Sequence, residues 1–250
     1  MTATRGTPRA ATPAKTGIAR SVVRRARPLL GTIVEVGLIG EADASAGAAI
    51  ASAFACVASI EARLSRFACG SEIFRFNAAS AGERIEVGED ARLVLAAAEE
   101  LRDASDGLFD VSLGSGATGW RCDDAGLRKL DDGVRLDLGG IGKGYAVDRA
   151  ISVLAATGAP AGWVNAGGDL RVFGDTSVPI DLRDEATGGV RRFASLADGA
   201  FATSRLGAGG HASVAAPRCL WADALTKIVV LSGDANHPLL ARFGAIAWLH

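Results

Sequence analysis

The stretch from Leu136 to Ala150, LDLGGIGKGYAVDRA, constrains the fold most, because it joins a predicted strand to a predicted helix through a glycine-rich turn. Glycines in such numbers cost chain entropy unless something must approach the backbone closely. The start of a helix also offers free N–H groups and the positive end of the helix dipole, which favour an anion such as a phosphate. The spacing fits neither a GxGxxG fingerprint nor a Walker A motif. A tight connection with Lys143 pointing to solvent is the alternative.

Two carboxylates and one polar corner accompany this turn. Asp137 precedes it and Asp223 opens the last predicted helix, and either is a candidate ligand of a hard cation beside phosphate oxygens or a simple helix cap. The segment 165–169, NAGGD, is a second glycine-rich corner between strands, and it is equally typical of a β-turn. Three polar corners within one stretch of chain favour a shared site.

The first half of the chain reads as helical and the second half as a sheet. Apolar spacing predicts helices over residues 44–67, 90–105 and 143–156, and β-branched runs predict strands over 31–38 and 134–138. From residue 163 onward, short strands separated by Gly, Asp and Pro predict a mostly antiparallel sheet, followed by a helix over 222–231 and a last strand over 245–250. The segments 64–79 and 107–114 are either loops with an apolar plug or parts of a site.

This pattern predicts one α+β domain over residues 27–250, after a tail over 1–26 that is predicted to be disordered. The formal net charge of −1 argues against nucleic-acid binding. No CxxC spacing and only three scattered histidines argue against a zinc site. The tail lacks the apolar core of a secretory signal, and no run of 18 apolar residues occurs. We therefore expect no transmembrane segment and a cytoplasmic location.

Several motifs, taken together and in order, resemble one family, the FAD:protein FMN transferases known as the ApbE family. The motifs are RPLLGTIVEV (27–36), LSRF with SEIFRFN (64–77), SDGLFDVSLG (105–114), LDLGGIGKGYAVD (136–148), VNAGGDLRVFG (164–174), ATS (202–204) and ADALTK (222–227). The resemblance implies an α+β fold related to the T-fold, with a mixed sheet, packed helices and a flavin-nucleotide cleft.

The resemblance also implies an activity. Members of the family use Mg²⁺ to cleave the diphosphate of FAD, join the FMN half to a Thr or Ser hydroxyl of a client flavoprotein and release AMP. Their clients carry an acceptor motif of the type Asp-x-Ser/Thr-Gly/Ala-x-Thr. A non-transferring FAD-binding protein and an FAD pyrophosphatase that gives FMN and AMP are the alternatives.

The resemblance assigns roles to residues at matching positions. Lys143 would contact FAD or its diphosphate and act in catalysis, and Asp137 would bind the adenosine part. The other residues expected to bind the cofactor are Leu30, which stands where relatives have Met, and Asn77, Leu108, Phe109, Asp110, Asn165, Gly167, Gly168, Asp169 and Thr203.

The metal and the base fall where this chain departs from the family pattern. Relatives place an Asp and, four positions later, a Thr on the metal, whereas here Thr226 is three positions after Asp223 and Lys227 is four. The expected metal set is therefore Gly140 through its carbonyl, Asp223 and Thr226, or else Lys227 replaces the charge of the cation. The usual HIIDPxTG segment is missing, which leaves His211 as the candidate for its catalytic histidine.

Overall fold

The computed structural model describes residues 21–40, 43–183, 188–205 and 210–250. Its strands are β1 Ser21–Leu29, β2 Thr32–Gly40, β3 Arg84–Ile85, β4 Trp120–Asp123, β5 Gly126–Lys129, β6 Ala161–Ala166, β7 Asp169–Arg183, β8 Val190–Arg205, β9 His211–Ala216 and β10 Ile246–Leu249. Its helices are α1 Ala44–Leu64, α2 Glu72–Ala78, α3 Glu89–Ala104, α4 Gly142–Ala156, α5 Cys219–Ser232 and α6 Leu239–Arg242.

Seven strands form the main sheet in the order β1-β2-β6-β7-β8-β9-β10, and every pair of neighbours is antiparallel. The expected mixed sheet is therefore not found among the described strands, since none of them pair in parallel. A small sheet, β3-β5-β4, lies apart from it. The expected α+β fold is confirmed.

The two faces of the main sheet are buried differently. One face packs against α1, α4 and α5 and forms the main core, with side chains such as Val34, Val164 and Val214 fully buried. The other face carries a smaller cluster that joins Trp163 and Phe201 to residues on the outer parts of β7 and β8. Two side chains on opposite faces of this sheet cannot belong to one site.

The predicted helices are confirmed, because their apolar spacing and their end signals agree. In α1, Asp43 caps the first turn by accepting from the Ala46 N–H at 2.9 Å, and the buried face includes Ile50, Phe54 and Val57. The helix over 90–105 is α3, and the one over 143–156 is α4. By length and composition alone α1 would also suit a membrane, a test that buried core helices pass as well.

The strand predicted over 134–138 does not form, since Asn77 takes the place of a strand neighbour. Its side-chain amide donates to the Leu136 carbonyl at 2.9 Å and its oxygen accepts from the Leu136 N–H at 2.7 Å. None of the described strands pairs with this segment. The loop considered over 64–79 also differs, because Ile73 and Phe76 are buried on the short helix α2, whereas Phe67 is 78% exposed.

Part of the predicted tail is folded. Residues 21–26 belong to β1, which pairs with β2 from Ser21↔Gly40 to Leu29↔Thr32, while residues 1–20 lie outside the described part of the chain. Only Val23 of this strand is buried, so its arginine-rich sequence carries no strand pattern of its own. The strand forms because it pairs with β2, although its composition does not favour a strand.

Candidate functional site

The glycine turn brings the start of α4 against the start of α5. An ideal Cβ on Gly144 would lie 2.3 Å from the Cys219 carbonyl oxygen and 2.8 Å from the Asp223 Cβ, so the two helices cross where only glycine fits. The Gly144 N–H donates to Asp223 Oδ2 at 3.0 Å. A carboxylate therefore already occupies the positive end of the α4 dipole.

Two carboxylates and two ammonium groups meet beside this crossing. Lys143 Nζ lies 2.9 Å from Asp169 Oδ2, in an ion pair that lacks the angles of a hydrogen bond, and 3.7 Å from Asp223 Oδ1. Lys227 Nζ pairs with Asp223 Oδ1 and also donates to the Asp223 carbonyl at 2.9 Å. We call these four residues the ion-pair cluster. The formal charges of the two carboxylates and the two ammonium groups balance.

Burial sets the protonation of this cluster. Both carboxylates are almost fully buried. Burial, followed by the charge of Asp223, raises the pKa of Asp169 to about 6. Burial also acts against ionisation of Asp223, but Lys227 and Lys143 outweigh it and lower the pKa of that carboxyl. For Lys143, the attraction of Asp223 and Asp169 outweighs burial and raises its pKa. At neutral pH, Asp223 and Lys143 are therefore charged.

Asp148 fixes the helix that carries half of the cluster. From α4 its carboxylate accepts the N–H groups of Cys219 and Leu220, at 2.9 and 3.0 Å, and thus caps the start of α5. It also accepts from Arg171 Nη1 at 2.6 Å. Sequence reasoning missed Asp148, although a carboxylate within a predicted apolar helix was a signal that a buried partner was needed.

The residues expected to hold a metal do not fit one. Asp223 Oδ1 faces two ammonium groups and Oδ2 accepts an N–H, so a further cation there would meet like charge. Thr226 is fully buried, and its hydroxyl donates to the Asp223 carbonyl at 2.6 Å. Beside Gly140, an ideal Cβ would lie 3.5 Å from Lys227 Cε. Within the described ranges, no group of three or more His, Cys, Asp or Glu side chains is placed to hold a metal ion.

A cleft of about 410 Å³ opens on the other side of the glycine turn. Its walls include Leu30 from the β1–β2 turn, Phe67 just after α1, and Asp137 and Lys143 from the glycine turn. Asp137 accepts from the Gly139 N–H at 2.8 Å and pairs with Arg66 Nε at 3.2 Å. An exposed aromatic ring, a cation and a carboxylate thus surround a space of the size that small ligands occupy.

The other residues predicted on the helical side of the sheet have mainly structural partners. Asn77 holds the segment before the turn, as described above. Asp110 accepts from the N–H and hydroxyl of Ser112, within its own loop. Phe109 is buried, and its ring lies 3.6 Å from an ideal Cβ on Gly140, whereas Leu108 is 37% exposed. Phe109 thus borders the glycine turn from a buried position, and Leu108 faces solvent.

The structure does not bring His211 or Thr203 to the ion-pair cluster. Thr203 lies two residues after Phe201 on β8, so its side chain takes the same face of the sheet, away from α4 and α5. Ser213 of β9 pairs with Thr203 and shares that face. His211 lies two residues before Ser213 and therefore also takes that face. The Thr203 hydroxyl is 2.8 Å from that of Ser213, which His250 Nε2 approaches to 3.0 Å.

The residues of the NAGGD corner also have different roles. Asn165 accepts from the Gly168 N–H at 2.9 Å and so closes the turn, while Gly167 and Gly168 take φ of +63° and +105°. The corner is therefore the β-turn that its sequence is typical of. Only Asp169 reaches the cluster, because it is the first residue of β7 and pairs with Lys143.

Comparison with known proteins gives a consistent result. The model of the ApbE family matches residues 30–205. A protein named FAD:protein FMN transferase, from Rhodobacter capsulatus, is 31% identical over 205 residues, which are 68% of this chain but 39% of that protein. The chain therefore spans about two fifths of the length of this curated relative.

Solved structures show the same fold at lower identity. The ApbE protein of Thermotoga maritima has a TM-score of 0.79 and 22% identity, covering 92% of this chain and 94% of that one. The flavin transferase ApbE of Vibrio cholerae has a TM-score of 0.80 and 17% identity, covering 92% and 93%.

Proposed function

The chain belongs to the ApbE family, and we propose that it is a flavin transferase, which moves the FMN part of FAD to a Ser or Thr hydroxyl of a client flavoprotein and releases AMP. The printed name of the Rhodobacter capsulatus relative supports this activity. The observation that carries the proposal is the cleft at the glycine turn, which ends at Lys143 and the ion-pair cluster.

The two sides of the turn suit the two halves of FAD. The 410 Å³ cleft, with exposed Phe67 and the Arg66–Asp137 pair, offers stacking and polar contacts for the adenosine part. On the other side, Phe109 borders Gly140. The diphosphate would then cross the turn at Lys143, where an ammonium group that stays charged opposes its negative charge.

The proposed step is a phosphoryl-group transfer. The client hydroxyl oxygen bonds to the phosphorus of the FMN half, the bond from that phosphorus to the bridging oxygen breaks, and the bridging oxygen leaves with AMP. The hydroxyl proton is released to solvent. Lys143 holds the diphosphate and opposes the charge that develops on the leaving oxygen. We assign His211 no step, because it lies on the opposite face of the sheet.

Mg²⁺ enters this proposal only as an expectation from the family. The Asp223 carboxylate is engaged by Lys227, Lys143 and the Gly144 N–H, so these side chains do not fit a cation, and no step is assigned to one.

The experiment is to incubate the protein with FAD and a peptide that carries the acceptor motif, and to follow AMP, free FMN and peptide mass together. We expect the peptide to gain the mass of the FMN moiety, with one AMP per modified peptide. A peptide with each Ser and Thr changed to Ala is the matched control and should stay unmodified. FMN and AMP without modified peptide would instead indicate a pyrophosphatase, and bound FAD without AMP a binding protein.

A further inference from the structure

The Lys227 side chain is fixed by contacts with Asp223 and the glycine turn. It lies one helical turn after Asp223 on α5, and only 15% of its side chain is exposed. Its ammonium group contacts both the carboxylate and the carbonyl oxygen of Asp223. Its methylenes pass beside Gly140, so the lysine fills the space between the glycine turn and Asp223.

The charge of the ion-pair cluster is already balanced without a metal. Asp169 and Asp223 are buried, and Lys143 and Lys227 face them. In the absence of FAD, a divalent cation bound at Asp223 would leave a surplus of two positive charges in a site shielded from water, where such a surplus is costly. The family pattern, by contrast, places a neutral Thr at the position that Lys227 holds.

We propose that the Lys227 ammonium replaces the divalent cation, so that this chain binds the diphosphate of FAD through Lys143 and Lys227 without a metal. This inference rests on the proposed function, because FAD is the diphosphate considered. It assigns to Lys227 a binding role that the sequence left open between Lys227 and Thr226. In the proposed complex, two fixed ammonium groups face the diphosphate at the position where the family pattern places a metal.

The test is FAD affinity, measured by titration calorimetry in EDTA and in Mg²⁺. The wild-type protein should bind FAD equally, within about twofold, in both conditions. Lys227→Thr places the residue of the family pattern beside Asp223, and its affinity in EDTA should fall by roughly tenfold to a hundredfold, the weight of one charge-assisted hydrogen bond. Mg²⁺ should restore most of that loss in the variant alone.

A second readout does not depend on FAD. Mn²⁺ titration followed by electron paramagnetic resonance should show no stoichiometric site in the wild-type protein and one site in Lys227→Thr. The matched control is Arg242→Met, which removes a cation paired with Glu100 at 2.6 Å on the surface and should change neither readout. If Lys227→Thr fails to fold, FAD titration and Mn²⁺ titration of the wild-type protein still test the proposal.

The outcomes separate the two proposals. Wild-type binding of FAD only in Mg²⁺, or a stoichiometric Mn²⁺ site in the wild-type protein, would overturn the role of Lys227 and leave the proposed function standing. Absence of FAD binding in both conditions would overturn the proposed function, and this inference with it. Equal wild-type binding together with a metal-dependent Lys227→Thr variant would support both.

Discussion

Replacing Lys143 with methionine removes the ammonium group that faces Asp169 Oδ2 at 2.9 Å, while the length and apolar stem of the side chain are kept. Asp169 is 2% exposed, so its carboxylate loses its neighbouring charge and gains no water in exchange. The pKa of Asp169 in the folded protein, about 6 in the wild type, should therefore rise further.

The size and sign of the effect follow from that pKa. A folded-state pKa above the unfolded one gives stability that is complete at low pH and is lost as pH rises through the folded value. At pH 5 Asp169 is protonated with or without Lys143, and the free energy of unfolding should be almost unchanged on this account. Each pH unit between 6 and the raised pKa of Asp169 in the variant adds roughly 1.4 kcal/mol, so the variant should be destabilised by up to about 1 kcal/mol at pH 7 and up to about 3 kcal/mol at pH 8.

The assay is urea denaturation of wild type and variant at pH 5, 7 and 8. In the double variant Lys143→Met/Asp169→Asn, residue 169 cannot titrate, and this rise in the destabilisation with pH should disappear. Arg242→Met, which breaks a surface pair, should give a difference below about 1 kcal/mol at every pH. Equal destabilisation by Lys143→Met at pH 5 and pH 8 would refute the reasoning, because it would show that Asp169 does not depend on Lys143 for its charge.

Three further predictions concern the parts that hold the site, and each is checked by urea denaturation. Gly144→Ala should cost about 3 kcal/mol or more because its Cβ meets backbone, whereas Gly142→Ala, whose nearest neighbour would be 3.7 Å away, should be neutral or stabilising by up to about 1 kcal/mol. Asp148→Asn should cost about 3 kcal/mol, since the carboxylate that caps α5 and pairs with an arginine becomes a neutral amide. Asn77→Ala should cost about 2 kcal/mol through two lost hydrogen bonds and should also weaken FAD binding, which titration would show. Full stability in Gly144→Ala, Asp148→Asn or Asn77→Ala would contradict the contact concerned.

Local patterns predicted most of the fold. The helices α1, α3 and α4 could be found because their apolar spacing and end signals agree within a single segment. The edge strand β1 could not, since its exposed arginines are ordered by pairing with a neighbour and not by burial. Likewise, the short runs predicted from residue 169 onward merge into the long strands β7 and β8. Gly174 lies within a register shift between Val172 and Ser177, whereas Pro179 stays in register opposite Ser195.

The site divides along the same line. Lys143, Asp169 and Asp223 were predicted residue by residue, and the structure brings them together. For Thr203 and His211, the sequence motifs could not show which face of the sheet each side chain takes, because the face depends on the strand register. Both were expected at the site, but the structure places them on the opposite face. The positions of Thr226 and Lys227 also needed three dimensions, because Thr226 contacts only the carbonyl of Asp223, whereas Lys227 also reaches its carboxylate.

Hydrogen exchange measured by mass spectrometry, with and without saturating FAD, tests the central claim most directly, namely that FAD binds across the glycine turn. We predict slower exchange in peptides that cover residues 137–147 and 60–67, which form the turn and the facing wall of the cleft. Peptides that cover residues 84–92, which line a separate surface hollow, should be unaffected. Protection confined to other regions, or none at saturation, would contradict the account.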